Sequence, residues 1–406
     1  MDHEKYFIGQ ILQEPDLAYK TMLKDTDFTY PSCRQILLTV RSLLKKGVEV
    51  DLPALHAANK ELQLSLLMEL QDSVVSASNW KHYEKAIKEA SQRRGIRRVC
   101  ERVLKDNLMT SQDMVMTIME AVDGYKGVEE DRIYSIQETL NESVDEIEFA
   151  YNNKGKLLGV ASGIRSLDRK LNGFQKRRLY VIGARPSRGK TALLMNFVLN
   201  ADGRVGVLSA ESGRRELTKR LISLSSRVNS EYINQGELGD AGFTKVTDAC
   251  TKLYEKNIWW YDKPNMHLDE LMLKAREMKQ MHDIEVLYVD YVQQIQADAQ
   301  KDHERVGKVS TALKSLARTL DIPVVTAAQL KRPGEGKGKP PELHDLGNSG
   351  QIERDADCVM LIHHGEINGE DGVYLLLEKN RDGATGVTPV RFVKEYYGFF
   401  EIDGRY

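Results

Sequence analysis

The tightest constraint on this chain is a short loop. In Gly183-Ala184-Arg185-Pro186-Ser187-Arg188-Gly189-Lys190-Thr191 the last eight residues follow the pattern GxxxxGK[ST], except that Ala184 holds its first position, with Gly183 just before it. Such a loop works only between a strand and a helix. Its glycines let backbone N–H groups curl around phosphate oxygens, and the helix N-terminus adds a favourable dipole. Here the apolar run Leu179–Ile182 precedes the loop and the helical run Ala192–Leu199 follows it. The segment is therefore expected to be α/β, with a nucleotide's phosphates at the end of a strand. Lys190 would neutralise the β- and γ-phosphates, and the Thr191 hydroxyl would ligate Mg²⁺.

The rest of the chain after residue 160 agrees with that frame. Short apolar or β-branched runs alternate with helical ones: Leu179–Ile182, Val205–Leu208, Ile258–Tyr261, Glu285–Val289, Pro323–Ala327, Cys358–Ile362 and Tyr374–Leu377. That alternation predicts a largely parallel sheet flanked by helices. A Mg²⁺-nucleotide site needs a carboxylate at a neighbouring strand end, and Asp290 closes the run 284–289. Hydrolysis needs a group acting on water. Glu211 lies just past Val205–Leu208, where a carboxylate would face the γ-phosphate; the alternative is a helix cap, because Glu211-Ser212-Gly213 also reads as a helix start. Gln329, past Pro323–Ala327, is expected to sense the γ-phosphate and report to the adjoining loop, unless it is only a surface amide.

Residues 1–110 read differently. Glu4, Phe7, Ile8, Ile11 and Leu12 repeat like one helical face, as do Leu37, Val40, Leu43 and Leu44, with little strand signal. The basic stretch Lys88, Arg93, Arg94, Arg97, Arg98, Arg102, Lys105 is either a nucleic-acid face or a solvated helix face. The absence of interleaved aromatics favours the second. After the polar break 123–134, Ser135-Ile136-Gln137-Glu138 has capping-box spacing and opens an acidic helix with Ile136, Leu140, Val144 and Ile147 on a narrow stripe. A lone helix with so narrow a stripe must lie in a groove of its own domain or of another subunit. The expected organisation is a helical domain over residues 1–115, a linker with this helix over 116–160, and the α/β domain over 161–406.

Composition narrows the partners. With 58 Lys and Arg against 60 Asp and Glu, the chain is neither a polybasic binder nor an acidic disordered segment, although a neutral total can hide a local basic track. The four cysteines lack zinc spacing, no apolar run is long enough to span a bilayer, and the N-terminus lacks a secretory pattern. A cytoplasmic protein with no membrane partner is expected.

Together these residues resemble a family. From Gly163 to Tyr406 the chain resembles the motor domain of bacterial replicative DNA helicases of the DnaB type, through GIRSLDRKLNGF, GARPSRGKTALLMN, VLSAES, VLYVDYVQQ, LKSLARTLDIPVVTAAQLKR, DLGNSGQIERDADCVML and EKNRDGATG, in the family's order. More weakly, EKYFIGQIL, DFTYPSCRQI and HYEKAIKEASQRR resemble the family's helical collar. The resemblance implies a RecA-like, Mg²⁺-dependent ATPase motor with an all-α N-terminal collar. It implies a homohexameric ring that encircles one DNA strand, moves 5′ to 3′ and unwinds forked DNA, with a primase and a helicase loader as partners. ATP then sits between subunits, the acidic linker helix docks on the neighbouring motor, and Lys379 and Arg381 align with basic residues that reach the neighbour's γ-phosphate. Without the resemblance, those two would read as a charged hairpin tip.

One loop departs from the family. Where the pattern usually reads DLRESG, this chain has Asp345-Leu346-Gly347-Asn348-Ser349-Gly350, so an arginine contact to DNA phosphate is missing. Backbone N–H groups at Gly347, Asn348 and Gly350 would serve instead, helped by Lys331, Arg332, Lys337 and Lys339 on the preceding loop. The rivals to the helicase reading are a RecA-like recombinase and a nucleotide-switched loading scaffold. The helical N-terminal region argues against the first, and the intact Glu211, Lys379 and Arg381 against the second. Replacing Lys331, Arg332, Lys337 and Lys339 with alanine is expected to weaken single-strand binding. It should also flatten the plot of log affinity against log salt by about 0.7 per lost phosphate contact. An unchanged slope in a fluorescence titration would place the DNA elsewhere.

Overall fold

The structure is a computed structural model. It describes residues 3–74, 76, 79–106, 109–110, 113–114, 117–118, 121, 135–331, 339–346, 350–367 and 369–402. The chain divides into two units, Met1–Ile136 and Gln137–Tyr406; the division falls inside the segment expected to be a linker.

The first unit is helical among its described residues: α1 (His3–Gln13), α2 (Leu17–Lys20), α3 (Pro31–Lys45), α4 (Leu52–Ala58), α5 (Leu64–Asp72) and α6 (Trp80–Lys105). Phe7, Ile8 and Ile11 of α1 pack with Ile36, Leu37 and Val40 of α3, all fully buried. Gly9 sits where α1 crosses α5: an added Cβ would lie 2.3 Å from the Leu70 carbonyl oxygen. The basic run on α6 is partly spoken for. Lys88 pairs with Asp27 at 3.0 Å, Arg93 with Glu89 at 3.0 Å, and Arg94 lies 3.9 Å from Glu4. Two of these cations therefore fasten α6 to the start of the chain.

Helix α7 (Ile136–Asn152) ends at the Asn-Asn-Lys-Gly-Lys break, as expected. Ile136, Leu140, Val144 and Ile147 are each more than half exposed, as are Phe149 and Tyr151. The apolar stripe is thus open on the single chain.

The second unit is built on one sheet: β1 (Leu179–Ala184), β2 (Arg204–Ser209), β3 (Asn257–Asp262), β4 (Val286–Asp290), β5 (Val324–Gln329), β6 (Cys358–Ile367), β7 (Glu370–Asn380), β8 (Gly386–Val393) and β9 (Gly398–Glu401), in the order 3-2-4-5-1-6-7-8-9. The run from β3 to β6 is parallel, whereas β7, β8 and β9 add antiparallel at one side. All seven expected strands are present; β8 and β9 were not anticipated.

Alternation along each strand builds two cores. Leu179 and Val181 join Val289 and Val324 under α13 (Leu268–His282) and α14 (Asp302–Thr319). Tyr180, Ile182 and Ala184 face the other way, against α8 (Arg165–Leu171), α9 (Lys190–Asn200) and α10 (Arg214–Ser226). Helices α11 (Ser230–Gln235), α12 (Asp240–Tyr254) and α15 (Gly350–Asp355) complete the described set. Among the described residues no helix is long and apolar enough to cross a membrane.

Buried Asn196 ties the loop-bearing helix to the far edge of the sheet. Its amide donates to the Ala192 carbonyl at 2.7 Å and the Tyr397 carbonyl at 2.8 Å, and its carbonyl accepts from the Phe399 N–H at 3.0 Å. Asn196→Leu keeps the volume but orphans a buried backbone donor and acceptor. It is expected to destabilise the second unit by about 2–4 kcal/mol, read as a lower unfolding midpoint in urea; an unchanged midpoint would deny these bonds a structural role.

Candidate active site

In a parallel sheet every strand delivers its C-terminal end to the same edge, and the site forms there. β1 ends at Ala184, and the loop turns into α9 through Gly189 at φ +91°. A Cβ at Gly189 would also lie 2.8 Å from the Phe399 ring, so this position requires glycine twice over. Loop and helix open onto a cavity of about 490 Å³, lined by Arg185, Ser187, Lys190, Thr191, Glu211 and Gln329 among others.

The charged groups of this cavity meet around Lys190. Its ammonium lies 3.7 Å from Glu211 and 2.9 Å from the centroid of the Tyr291 ring. Burial pulls its pKa below the usual lysine range, while Asp290 and Glu211 oppose that shift. Asp290, the last residue of β4, is fully buried. Burial pushes its carboxyl upward, and the Lys190 charge and the Thr191 hydroxyl, 3.3 Å from Oδ1, pull it back. Its other oxygen, Oδ2, is buried without a hydrogen-bond partner among the described residues. An orphaned carboxylate oxygen beside a threonine hydroxyl fits a divalent cation with its water shell. No cluster of three or more His, Cys, Asp or Glu suited to a protein-only metal cage occurs among the described residues.

Glu211 is not the cap of the next helix: Gly213 occupies the N-cap of α10. Its loop is held by other means. Ser209 Oγ donates to the Ser212 carbonyl at 2.7 Å and accepts from the Ser212 N–H at 3.1 Å, while Ala210 N–H donates to the Asp290 carbonyl at 2.8 Å. Asp262 then clamps Arg214 through both its backbone N–H and its guanidinium. Gln329 ends β5 directly beside Ala184. Its backbone is gripped from both sides by the Gln293 amide, which accepts from Gln329 N–H at 3.1 Å and donates to its carbonyl at 3.3 Å.

Several lining residues carried no sequence signal. Arg220 projects from α10, with its guanidinium 5.2 Å from the Tyr397 ring. Phe392 comes from the end of β8, and Lys394 and Tyr397 from the turn between β8 and β9. Only the antiparallel extension of the sheet brings that turn to the nucleotide edge.

Lys379 and Arg381 are elsewhere. β6 runs parallel to β1 and β7 returns antiparallel, so the end of β7 lies at the opposite edge of the sheet. There Arg381 N–H donates to the Asp357 carbonyl at 2.9 Å, and its side chain is 66% exposed. Lys379 Nζ donates to the Glu353 carbonyl at 2.6 Å. β1 separates this cluster from the loop by its whole length, about 16 Å at ~3.3 Å per residue, which no arginine side chain spans.

Of the candidate DNA contacts, Lys331 is exposed and Gly350 opens α15. Arg332, Lys337, Gly347 and Asn348 lie outside the described residues. Lys331 N–H donates to the Asp345 carbonyl at 2.9 Å and Leu330 bridges Leu346, so the two candidate loops leave the sheet from one neck.

Comparison with known proteins agrees with this architecture. A family model described as DnaB-like helicase C terminal domain matches residues 159–401, and one described as DnaB-like helicase N terminal domain matches residues 1–89. Replicative DNA helicase DnaC of Bacillus subtilis is 29% identical over 100% of this chain and 95% of its own length. Replicative DNA helicase DnaB of Treponema pallidum is 33% identical over 81% of this chain and 77% of its own. Among solved structures, a DnaB-like replicative helicase described with its interactions with primase superimposes with a TM-score of 0.75 at 28% identity, covering 99% of both chains. A second solved structure, described as an ATPase domain, superimposes with a TM-score of 0.61 at 30% identity, covering 67% of this chain and 100% of its own.

Two substitutions separate binding from chemistry. Lys190→Ala is expected to abolish ATP turnover while the thermal unfolding profile stays that of the parent. Glu211→Gln should still bind ATP but turn over at least ~10²-fold more slowly; loss of stability with turnover retained would make Glu211 structural.

Proposed function

The chain belongs to the DnaB-like helicase family, and is a replicative, ATP-dependent DNA helicase; on that footing we propose how its residues run the reaction and in what assembly. ATP binds with its phosphates in the Gly183–Thr191 loop, cradled by the backbone of Ala184, Arg185, Pro186, Ser187, Arg188 and Gly189, with Lys190 against the β- and γ-phosphates. Thr191 and Asp290 would hold Mg²⁺, which when bound would supply charge neutralisation on the phosphate oxygens. Glu211 takes a proton from the attacking water as the γ-phosphorus–oxygen bond to ADP breaks. Gln329 senses the γ-phosphate and, clamped by Gln293, passes its loss to the loops leaving the neck at Lys331 and Leu346.

The last charge comes from another subunit. The observation that carries this reading is the placement of Arg381: exposed, anchored, and a full strand length from its own loop. A finger that cannot serve its own pocket serves a neighbour's, and a closed set of such interfaces is a ring. We read the ring as a homohexamer moving 5′ to 3′ on single-stranded DNA, with residues 1–115 as its collar, 116–160 as the linker and 161–406 as the motor. The exposed stripe of α7 fits a groove on the adjacent motor. The structural relative described with its interactions with primase supports a primase as partner, and a loader is expected beside it.

Mixing tests the interface. A Lys190→Ala subunit has a dead pocket and a sound finger; an Arg381→Ala subunit has the reverse. Once labelled protomers show subunit exchange, mixed assemblies should recover ATPase that neither parent has, because in-trans arginines of this kind are worth about 10³–10⁵ in turnover. A mixture as inactive as its parents would remove Arg381 from the neighbouring site.

A further inference from the structure

Asp357 is 4% exposed, and it sits between the finger and the rest of the motor. Its Oδ2 accepts from the Leu179 N–H at 2.8 Å and from the Lys314 ammonium of α14. Its Oδ1 faces Arg381 Nη1 at 3.4 Å. Its backbone carbonyl takes the Arg381 N–H at 2.9 Å, and its own N–H donates to the Leu179 carbonyl at 2.9 Å. One residue thus grips the finger at both backbone and guanidinium, and pins both to the first residue of β1.

We propose that Asp357, with Lys314 behind it, is the positioning pair for the in-trans arginine: it sets where the guanidinium stands before a neighbour's nucleotide arrives, and Lys314 keeps that guanidinium's charge available. This rests on the reading of Arg381 as a finger acting across the interface.

The electrostatics require both members. A carboxylate alone against Arg381 would neutralise the charge that the finger has to deliver. Lys314 shares the same carboxylate, so the trio of one anion and two cations keeps one net positive charge. It is the arginine that is exposed, at 66%, while Lys314 is 21% exposed. The flanking cation Arg178 is already paired with Asp382 at 2.8 Å, and Lys379 points to the Glu353 carbonyl. Of these cations Arg381 is the most exposed. A guanidinium held at one Nη1 keeps its other N–H groups for phosphate, and a side chain fixed beforehand loses less freedom when it engages.

The test uses complementation, because a merely structural residue tying the start of β6 to β1 would damage its own pocket and not its neighbour's. Asp357→Asn keeps the shape and an acceptor for Leu179 N–H while removing the charge. It should lower kcat about 10–10²-fold, less than loss of the arginine itself, with KM for ATP little changed. Mixed with Lys190→Ala, it should regain ATPase. Mixed with Arg381→Ala, it should not, since every finger in that mixture is faulty. Recovery with Arg381→Ala but not with Lys190→Ala would place the defect in the variant's own pocket and overturn the proposal, as would a variant with parental kcat or one rescued by neither. Lys314→Met carries the same pattern if Asp357→Asn fails to assemble. The Lys190→Ala and Arg381→Ala mixture is the control: if it alone fails to recover, the in-trans reading itself has failed.

Discussion

One buried strand sets the distance on which this molecule's chemistry depends. β1 is central, paired with β5 on one side and β6 on the other, and all six of its residues are buried. Its C-terminal end becomes the phosphate loop; its first residue is tied through Asp357 to Arg381. A fully packed strand cannot shorten or bend without breaking both cores that grip its alternating side chains. The nucleotide edge and the finger edge are therefore held a fixed distance apart within each chain. On the proposed reading of Arg381, a chain's own finger cannot reach its own loop, and the site is completed by another subunit.

The same burial shapes the nucleotide edge. Lys190 and Asp290 are taken out of water together, and each is pushed toward its neutral form by that desolvation while the other's charge opposes it. Asp290 also keeps one oxygen with no protein partner among the described residues. Such a site is costly to leave empty of counter-charge and is suited to a phosphate chain that arrives with a divalent ion. Glu211 is less buried than Lys190 and stands at the rim, on a loop locked by Ser209 and tied to Asp290. A carboxylate that acts on water needs such access, whereas one that holds a metal shell does not.

What the sequence disclosed follows from how strictly chemistry dictates residue type. Phosphate binding needs glycines, a lysine and a hydroxyl in order, so Gly183–Thr191 was legible at once, and Asp290 and Glu211 followed from strand ends. The parallel strands were legible as apolar runs because both faces are covered. β8 was not, since Gly386–Val393 alternates buried and part-exposed residues and carries Pro389; β9 is only four residues long. Missing them hid Phe392, Lys394 and Tyr397, which reach the pocket only through that antiparallel extension. Arg220 was hidden for a related reason: it is one of several basic residues on an amphipathic helix, and nothing in spacing singles out the one that faces inward. The basic run on α6 was read as a solvated face, and the pairs made by Lys88, Arg93 and Arg94 give it a partly structural explanation.

The central claim is that each ATP site is completed by Arg381 of another chain because β1 keeps a chain's own finger away. The most direct measurement is the structure of the assembled protein with ADP, Mg²⁺ and a planar mimic of the transferring γ-phosphoryl group. The account predicts an Arg381 guanidinium N–H within about 3 Å of that mimic across a subunit interface, with Asp357 still bonded to the same residue's backbone. Arg381 bound only to Asp357 at every interface, with the mimic contacted by some other cation, would contradict it.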